Sequence, residues 1–409
     1  MTSARLVPAL QTLFVLSLVS TLGSGAIARN DHPGTRVRFG KSFEIVSSDS
    51  VKGNLAVKIK RLTQIDPNKP PEPDTEQFLS LFGREDIIAA TSSDYRANGC
   101  APLTTTTGIL DEIANRARNT SIVIISESHE RSEHRGFITQ VASRLRRLGY
   151  DTLAIETLAN VPPGAEKYAA PFLKQPSLPY FTDEDGYYLA EAGFGRLGRQ
   201  AKALGYRLVP YEFVEYDNVP PDATLDQRVP FREEGQAKSL DAFLRQNPKA
   251  KLLVHVGYTH ATEVVQYDGN KWMAARLKEK TGIDPLTISQ TRCRGGGATA
   301  RFAALPADEP PGTFDLLVDH PSARFIQGRP EWRRLAGDKI VSIPKALRPT
   351  SGWRVIEARP VGEPITSVPM DRVAIRPGEN IALMLPPGRY QLRAINVKRA
   401  DPPASKPAG

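Results

Sequence analysis

The sequence predicts an α/β protein, a mainly parallel sheet with helices on both faces, followed by a small C-terminal all-β appendage. Three observations carry this. Ile122-Val123-Ile124-Ile125 is an unbroken apolar run, the composition of a strand covered on both faces. Phe137, Val141, Leu145 and Leu148 then recur at spacings of four, four and three, the stripe of an amphipathic helix that Gly149 closes. Thr152-Leu153-Ala154-Ile155 returns as a second strand, and the alternation of strand and helix repeats downstream.

Taken in order, the chain starts with Arg5 ahead of an apolar run through Leu22, then Ala26-Ile27-Ala28. Met1 to Ala28 therefore reads as a secretory signal peptide, residues 1–28. Residues 29–104 are expected to form a lead-in with strands at Ser42 to Val46 and Leu55 to Ile59, a proline-rich linker from Pro67 to Pro73, and a helix near Thr75 to Phe82. The α/β domain is placed at 105–320. It opens with a helix carrying Ile109, Leu110, Ile113 and Ala117, then the strand–helix–strand unit, then an excursion rich in Pro, Gly and Tyr through Asp185. Helices follow at Tyr187 to Leu204, Arg232 to Arg245 and Lys271 to Lys280. Strands are expected at Gly205 to Glu212, Lys251 to Val256, Leu286 to Ser289 and Phe314 to Val318. Over 321–400 only short strand-like runs remain, at Ile340 to Ile343, Trp353 to Glu357 and Tyr390 to Val397, a small β-rich module. Residues 401–409 read as a disordered tail.

With 40% hydrophobic and 24% charged residues the chain has the composition of a globular protein. Losing Arg5 with the signal lowers its formal +9 charge by one. The Lys and Arg are scattered and not interleaved with aromatics, which argues against a nucleic-acid module. The expected location is periplasmic or secreted, with no stable membrane span once the signal is removed. Cys100 and Cys293 are the two cysteines, and in an oxidising compartment such a pair forms a disulfide.

The chemistry is concentrated at strand ends. Four of the six histidines, His129, His134, His255 and His260, fall at two of them. The first strand runs into Glu127-Ser128-His129-Glu130, the second delivers Glu156, the third Glu212, and the fourth ends in Gly257-Tyr258-Thr259-His260. Ligands of open α/β sheets gather at the carboxyl ends of the strands. Glu127, His129, Glu156 and His260 are the catalytic candidates, since carboxylates beside imidazoles fix a tautomer and let the other ring nitrogen take a proton from water. Glu130, His134, Glu212, Arg232, Glu233 and His255 are the supporting candidates. His255 lies inside an apolar strand, where a satisfied core histidine is the plainer reading, and His134 with Glu133 falls where a solvated helix face would explain them. His129, Glu156 and His260 could also hold a divalent metal that activates a bound water.

Spacing excludes several alternatives. His129 and His134 are five apart, not the four that places two zinc ligands on one helical face. Asp183-x-Asp185-Gly186 lacks the later ligands of a calcium loop, since position 194 is Phe. Ser128 has no Gly-x-Ser-x-Gly elbow around it, and no Gly-x-x-x-x-Gly-Lys phosphate loop occurs.

The ordered set Ser126-Glu127-Ser128-His129, Glu156, Arg232-Glu233-Glu234-Gly235-Gln236-Ala237 and Gly257-Tyr258-Thr259-His260 resembles the superfamily of erythromycin esterase-like hydrolases, haem-binding iron-uptake lipoproteins and Wnt-inactivating metalloproteases. The resemblance covers about Thr105 to Val318. Ser126 stands where the family motif has Gly, and Gln236 where it has Met. It implies a His acting as general base on water in the esterase-like branch, a metal in the protease branch, and binding alone in the haem branch. The resulting expectation is an exported hydrolase acting on a small-molecule or peptide substrate, with a divalent metal as an open cofactor. The rival is a non-catalytic periplasmic protein that binds haem or a metal complex.

Overall fold

The computed structural model describes residues 36–65, 73–162, 164–214 and 219–398. The signal peptide, the linker residues 67–72 and the tail 401–409 lie outside the described residues.

In chain order the strands are β1 (Val37–Ser47), β2 (Ile122–Glu127), β3 (Thr152–Ile155), β4 (Arg207–Val209), β5 (Leu252–Gly257), β6 (Leu286–Ser289), β7 (Arg301–Ala303), β8 (Leu316–Asp319), β9 (Phe325–Ile326), β10 (Arg329–Pro330), β11 (Lys339–Ser342), β12 (Arg354–Pro360), β13 (Asp371–Ile375), β14 (Ala382–Leu385) and β15 (Gly388–Asn396). The α-helices are α1 (Gly53–Leu62), α2 (Pro73–Leu81), α3 (Glu85–Thr91), α4 (Ile109–Arg116), α5 (Ser132–Arg146), α6 (Pro171–Lys174), α7 (Ala192–Ala203), α8 (Leu225–Gln246), α9 (Met273–Thr281) and α10 (Trp332–Leu335).

Seven strands make the central sheet in the order β4-β3-β5-β2-β6-β8-β7. Every neighbouring pair is parallel except β7 with β8, which closes one edge antiparallel. Alternation along the buried strands sorts their side chains between two cores. Val123, Ile125, Leu153, Ile155 and Leu253 pack against the α5 and α7 face, with Phe137, Val141, Leu145, Phe194 and Leu197. Ile122, Ile124, Ala154, Val254 and Val256 pack against the α8 and α9 face, with Ala237, Leu240, Met273 and Leu277. Gly149 takes a φ of +86° after α5, the left-handed turn that its lack of a Cβ permits.

A second sheet has the order β1-β15-β12-β13. β1, from the lead-in, pairs parallel to β15 near the other end of the chain, so the two chain regions build one β unit. One of its faces packs on α1 and α2 through Leu55, Ile59, Leu62 and Leu81. The other packs on residues of the antiparallel β11–β14 pair, among them Leu383 and Leu385. Arg372 ties this unit to the α/β layer by donating to Asp183 Oδ1 at 3.0 Å and Oδ2 at 2.9 Å.

Several expectations change. The helix expected from Tyr187 begins as α7 at Ala192, and of the strand expected over Gly205 to Glu212 only β4, Arg207–Val209, forms, so Glu212 lies beyond its end. Leu55 to Ile59, expected as a strand, is part of α1. Its apolar residues fit either period, but Leu55, Ile59 and Leu62 are buried at helical spacing while Val57, which a strand would have placed beside Leu55 and Ile59, is 63% exposed. Helix α8 begins at Leu225 rather than Arg232. A capping box between Thr224 and Gln227 starts it, and Pro230 is accommodated inside. Among the described residues no helix is long and apolar enough to cross a membrane. Cys100 and Cys293 are joined by a disulfide.

Candidate functional site

Strand order explains why distant motifs meet. β3, β5 and β2 are adjacent, with Ile155 beside His255 and Glu127 beside Gly257, so Glu156, Gly257 and Glu127 end neighbouring strands. Successive side chains leave a strand on opposite faces. Glu127 therefore turns to the α5 and α7 side and Glu156 to the α8 and α9 side, with His129 at the edge between them.

On the first side Glu127 is fully buried. Its Oε1 lies 3.2 Å from His129 Nδ1, and its Oε2 accepts from Arg135 Nη1 at 2.9 Å. Arg135 comes from the first turn of α5 and also donates through Nε to Glu191 Oε2 at 2.8 Å. Glu191 in turn caps α7 by accepting from the backbone N–H of Gly193 and Phe194. His255 Nε2 stands 3.1 Å from Glu127 Oε2, off the line of an aligned hydrogen bond, with its ring edge-to-face on Phe194. Burial alone would push the Glu127 carboxyl up, but the Arg135 charge and His255 hold it well below the ordinary range. His129 responds to the opposite balance. Burial lowers it, and the hydrogen bond to Glu127 with the charge of Glu156 outweighs that and raises it above the usual imidazole value.

His129 is boxed by aromatics. Its ring lies 4.4 Å from that of Tyr188 and edge-to-face with Tyr258 at 5.1 Å. Nε2 has no hydrogen-bond partner among the described residues, and the side chain keeps 12% exposure. Gly257 approaches that nitrogen so closely that a Cβ there would sit 2.7 Å from it. Tyr258 holds a φ of +35°, unusual for a residue with a side chain, and its hydroxyl bonds Glu130, which also accepts from Ser128 Oγ at 2.8 Å.

On the second side Arg232 is the hub. Its guanidinium bonds Glu156 through Nη2, donates to Glu212 through Nε at 2.9 Å and Nη2 at 2.6 Å, and lies 3.0 Å from His260 Nε2 through Nη1. Because a guanidinium only donates, His260 Nε2 accepts, and its Nδ1 carries the proton, 2.7 Å from Glu233 Oε1. Glu233 is fixed by the backbone N–H of Met273 at 2.7 Å, Glu156 by that of Gly257 at 2.7 Å, and Glu212 by Gln236. Burial would raise the Glu156 carboxyl, but His260 and Arg232 draw it down to about 2.

This geometry bears on a metal. Two of the three candidate ligands, Glu156 and His260 Nε2, already converge with Glu212 on the Arg232 guanidinium, and among the described residues no group of three or more His, Cys, Asp or Glu is arranged to hold an ion. The residues present do not fit a metal centre on His129, Glu156 and His260.

No family model matches this sequence, and no curated protein matches it. Among solved structures the chain is similar to the type III effector HopBA1, at 15% identity and a TM-score of 0.35, over 55% of this chain and 97% of that one. It is similar to RRSP, a MARTX toxin effector domain from Vibrio vulnificus, at 14% identity and a TM-score of 0.34, over 59% of this chain and 46% of that one. A third is the haem-binding ChaN of Campylobacter jejuni, at 10% identity and a TM-score of 0.30, over 52% of this chain and 92% of that one.

Of the ten residues singled out in the sequence, eight meet at this edge: Glu127, His129, Glu156, Glu212, Arg232, Glu233, His255 and His260. Glu130 reaches it through Tyr258. His134 does not. It is buried, 1% exposed, on the inner face of α5 with its ring 5.0 Å from that of His320, rather than on a solvated face. Arg135 and Glu191 were missed, although a buried strand-end acid requires a cation and Arg135 is three residues into the helix that follows. Tyr188 carried no signal: it fell in the first turn of the helix expected from Tyr187, whereas α7 begins at Ala192 and Tyr188 lies in the turn before it.

Proposed function

We propose that the protein is an exported hydrolase of the esterase-like kind, in which His129 takes a proton from water at the carboxyl edge of the sheet. The observation that carries this reading is the Glu127–His129 pair, with Nδ1 on a carboxylate and Nε2 without a partner among the described residues, at a partly open surface. Glu127, kept ionised by Arg135, holds the proton on Nδ1 and leaves the Nε2 lone pair as the base. The imidazolium that forms is stabilised by the carboxylates of Glu127 and Glu156.

Arg232 takes the electrophilic role. Of its five N–H groups, one on Nε, one on Nη1 and two on Nη2 are engaged by Glu212, His260 and Glu156, and one on Nη1 remains for the oxyanion of a tetrahedral intermediate. His260, its Nε2 occupied, positions Arg232 rather than acting as a second base. Glu156 and Glu212 hold the fork in one orientation.

The test is hydrolysis of a panel of aryl esters and peptide amides by the wild-type protein and by His129→Ala. Loss of about 10²–10⁴-fold in rate on the substrates that turn over is expected. An unchanged rate overturns the assignment. No turnover on the whole panel, with a haem absorption band in freshly purified protein, moves the reading to haem binding through the open Nε2.

A further inference from the structure

Ser128 and Tyr258, whose ring also packs edge-to-face on His129, line a cavity of about 280 Å³. His134, Arg131, Arg292 and Arg294 line it together with those two residues. Nothing in the proposed hydrolysis uses it.

Two of its walls carry donors with no acceptor. His134 is 1% exposed, and its Nδ1 accepts from the Ser128 backbone N–H at 2.9 Å. The ring is neutral, because burial and the nearby Arg131 charge oppose a second proton, so the hydrogen sits on Nε2. Among the described residues that buried Nε2 has no hydrogen-bond partner, and neither has the buried Nε of Arg292. Buried polar groups without partners are uncommon in folded proteins and call for an explanation. A bound ligand that accepts hydrogen bonds supplies one.

The charges around the cavity define that ligand. Arg131 donates to Glu133 at 3.0 Å and Arg292 pairs with Glu309 at 2.9 Å, while Arg294 donates to the backbone carbonyls of Arg96 at 2.9 Å and Thr291 at 3.2 Å. Glu130, the acid nearest Tyr258, is engaged by the Tyr258 hydroxyl and by Ser128 Oγ. Three guanidinium groups and an imidazole N–H in one partly enclosed space match an oxyanion, which takes several charge-assisted hydrogen bonds at once.

We propose that this cavity binds an oxyanion, a phosphate or sulfate ester or a carboxylate, as the charged group of the molecule whose reactive bond reaches His129. That the anion belongs to a substrate rests on the hydrolase reading. The anion site itself rests on the cavity alone.

Calorimetric titration of the His129→Ala protein with inorganic phosphate, sulfate and acetate, and with glycerol as a neutral control, tests it apart from turnover. Binding of at least one anion and none of glycerol is expected, weakened about tenfold or more by Arg292→Gln, as one charge-assisted contact requires. Arg294→Gln is the second variant, with circular dichroism as the folding control for both. Binding of phosphate or sulfate alone assigns an ester, and of acetate alone a carboxylate. If no anion binds at millimolar concentration, or both variants bind as the parent does, the site is overturned. Anion binding without hydrolysis of any ester by the wild type sinks the hydrolase reading and keeps the site; hydrolysis of neutral esters without anion binding does the reverse.

Discussion

His129 Nδ1 lies 3.2 Å from Glu127 Oε1, and the other oxygen of the same carboxylate accepts from Arg135 at 2.9 Å. One buried acid thus orients the proposed base and neutralises a fully buried guanidinium. Glu127→Gln is expected to do two things together. Hydrolysis falls by about 10²-fold or more, because Nδ1 loses its anionic partner. Stability falls by roughly 3 kcal/mol, because the buried Arg135 keeps one ion-pair partner, Glu191, and the His129 carbonyl in place of two carboxylates. His129→Gln, at a partly exposed ring, should lose the activity with little of the stability. Rates and urea unfolding curves on both variants check this, and equal stability losses would contradict the shared role of Glu127.

The pH dependence of hydrolysis follows from the same pair. His129 must be neutral to accept a proton, and Glu127 and Glu156 raise its pKa despite its burial. The rate should therefore rise with pH through a midpoint above about 6.5, the value of a free imidazole. The same shift makes a stability contribution that is complete below the unfolded pKa and is lost as pH climbs through the folded one. A rate profile already flat from pH 6 upward would remove His129 as the base.

His134 and His320 give the opposite sign. Burial lowers both, His320 to about 3, with Arg131 adding to the effect on each. Their neutral forms are favoured by folding, so their contribution is complete above the unfolded pKa and is lost as pH falls below about 6.5. Each such group that binds a proton only on unfolding costs on the order of 1.4 kcal/mol per pH unit. Unfolding midpoints measured from pH 7 to 4 should drop steeply, and less steeply in His320→Gln, which keeps a polar side chain for Gln290, the partner of His320 Nε2 at 2.8 Å.

The strand-end acids and histidines were legible because a parallel strand advertises itself as an apolar run and its carboxyl end is where polar residues resume. Glu127, Glu156 and His260 needed nothing more. What periodicity does not encode is the partner brought from another element. Arg135 faces inward on a helix whose apolar stripe is set by Phe137 and Val141, and only strand order reveals that Glu127 and Glu191 both lie within its reach. The same limit applies to β1, whose partner β15 is more than three hundred residues away. Leu55 to Ile59 misled for a local reason, since a short run with apolar residues at 55, 57 and 59 satisfies both periods until exposure of Val57 decides.

The Cys100–Cys293 bridge spans a sequence separation of 193 residues and so encloses most of the central sheet. Closing a loop of that length restricts the unfolded chain by about 5 kcal/mol in the entropic account. Cys100→Ser with Cys293→Ser should therefore lower the unfolding free energy by up to roughly that amount, with no loss of hydrolysis of a neutral ester at 25 °C, since neither cysteine touches His129 or Arg232, although Cys100 Sγ lies 3.8 Å from the Arg292 carbonyl. Calorimetric unfolding of the double variant, with reduced wild type as a second case, provides the measurement. An unchanged melting temperature would mean that the unfolded state is already constrained in this region.

Gly257 offers the sharpest test of the site's geometry. Its φ of −81° is open to any residue, so Gly257→Ala carries no backbone strain. The added methyl would sit 2.7 Å from both His129 Cε1 and Nε2 and 3.1 Å from Glu156 Oε2. It must displace the ring, the carboxylate or the β5 end, and overpacking of this kind costs about 1–3 kcal/mol. The ring has the freedom to move, because it is partly exposed, whereas Glu156 is held by Arg232 and by the Gly257 N–H itself. The expected result is a folded protein with a loss of hydrolysis comparable to that of His129→Ala and a stability loss at the lower end of that range. Retention of full activity would place the reacting bond somewhere other than the Nε2 face of His129.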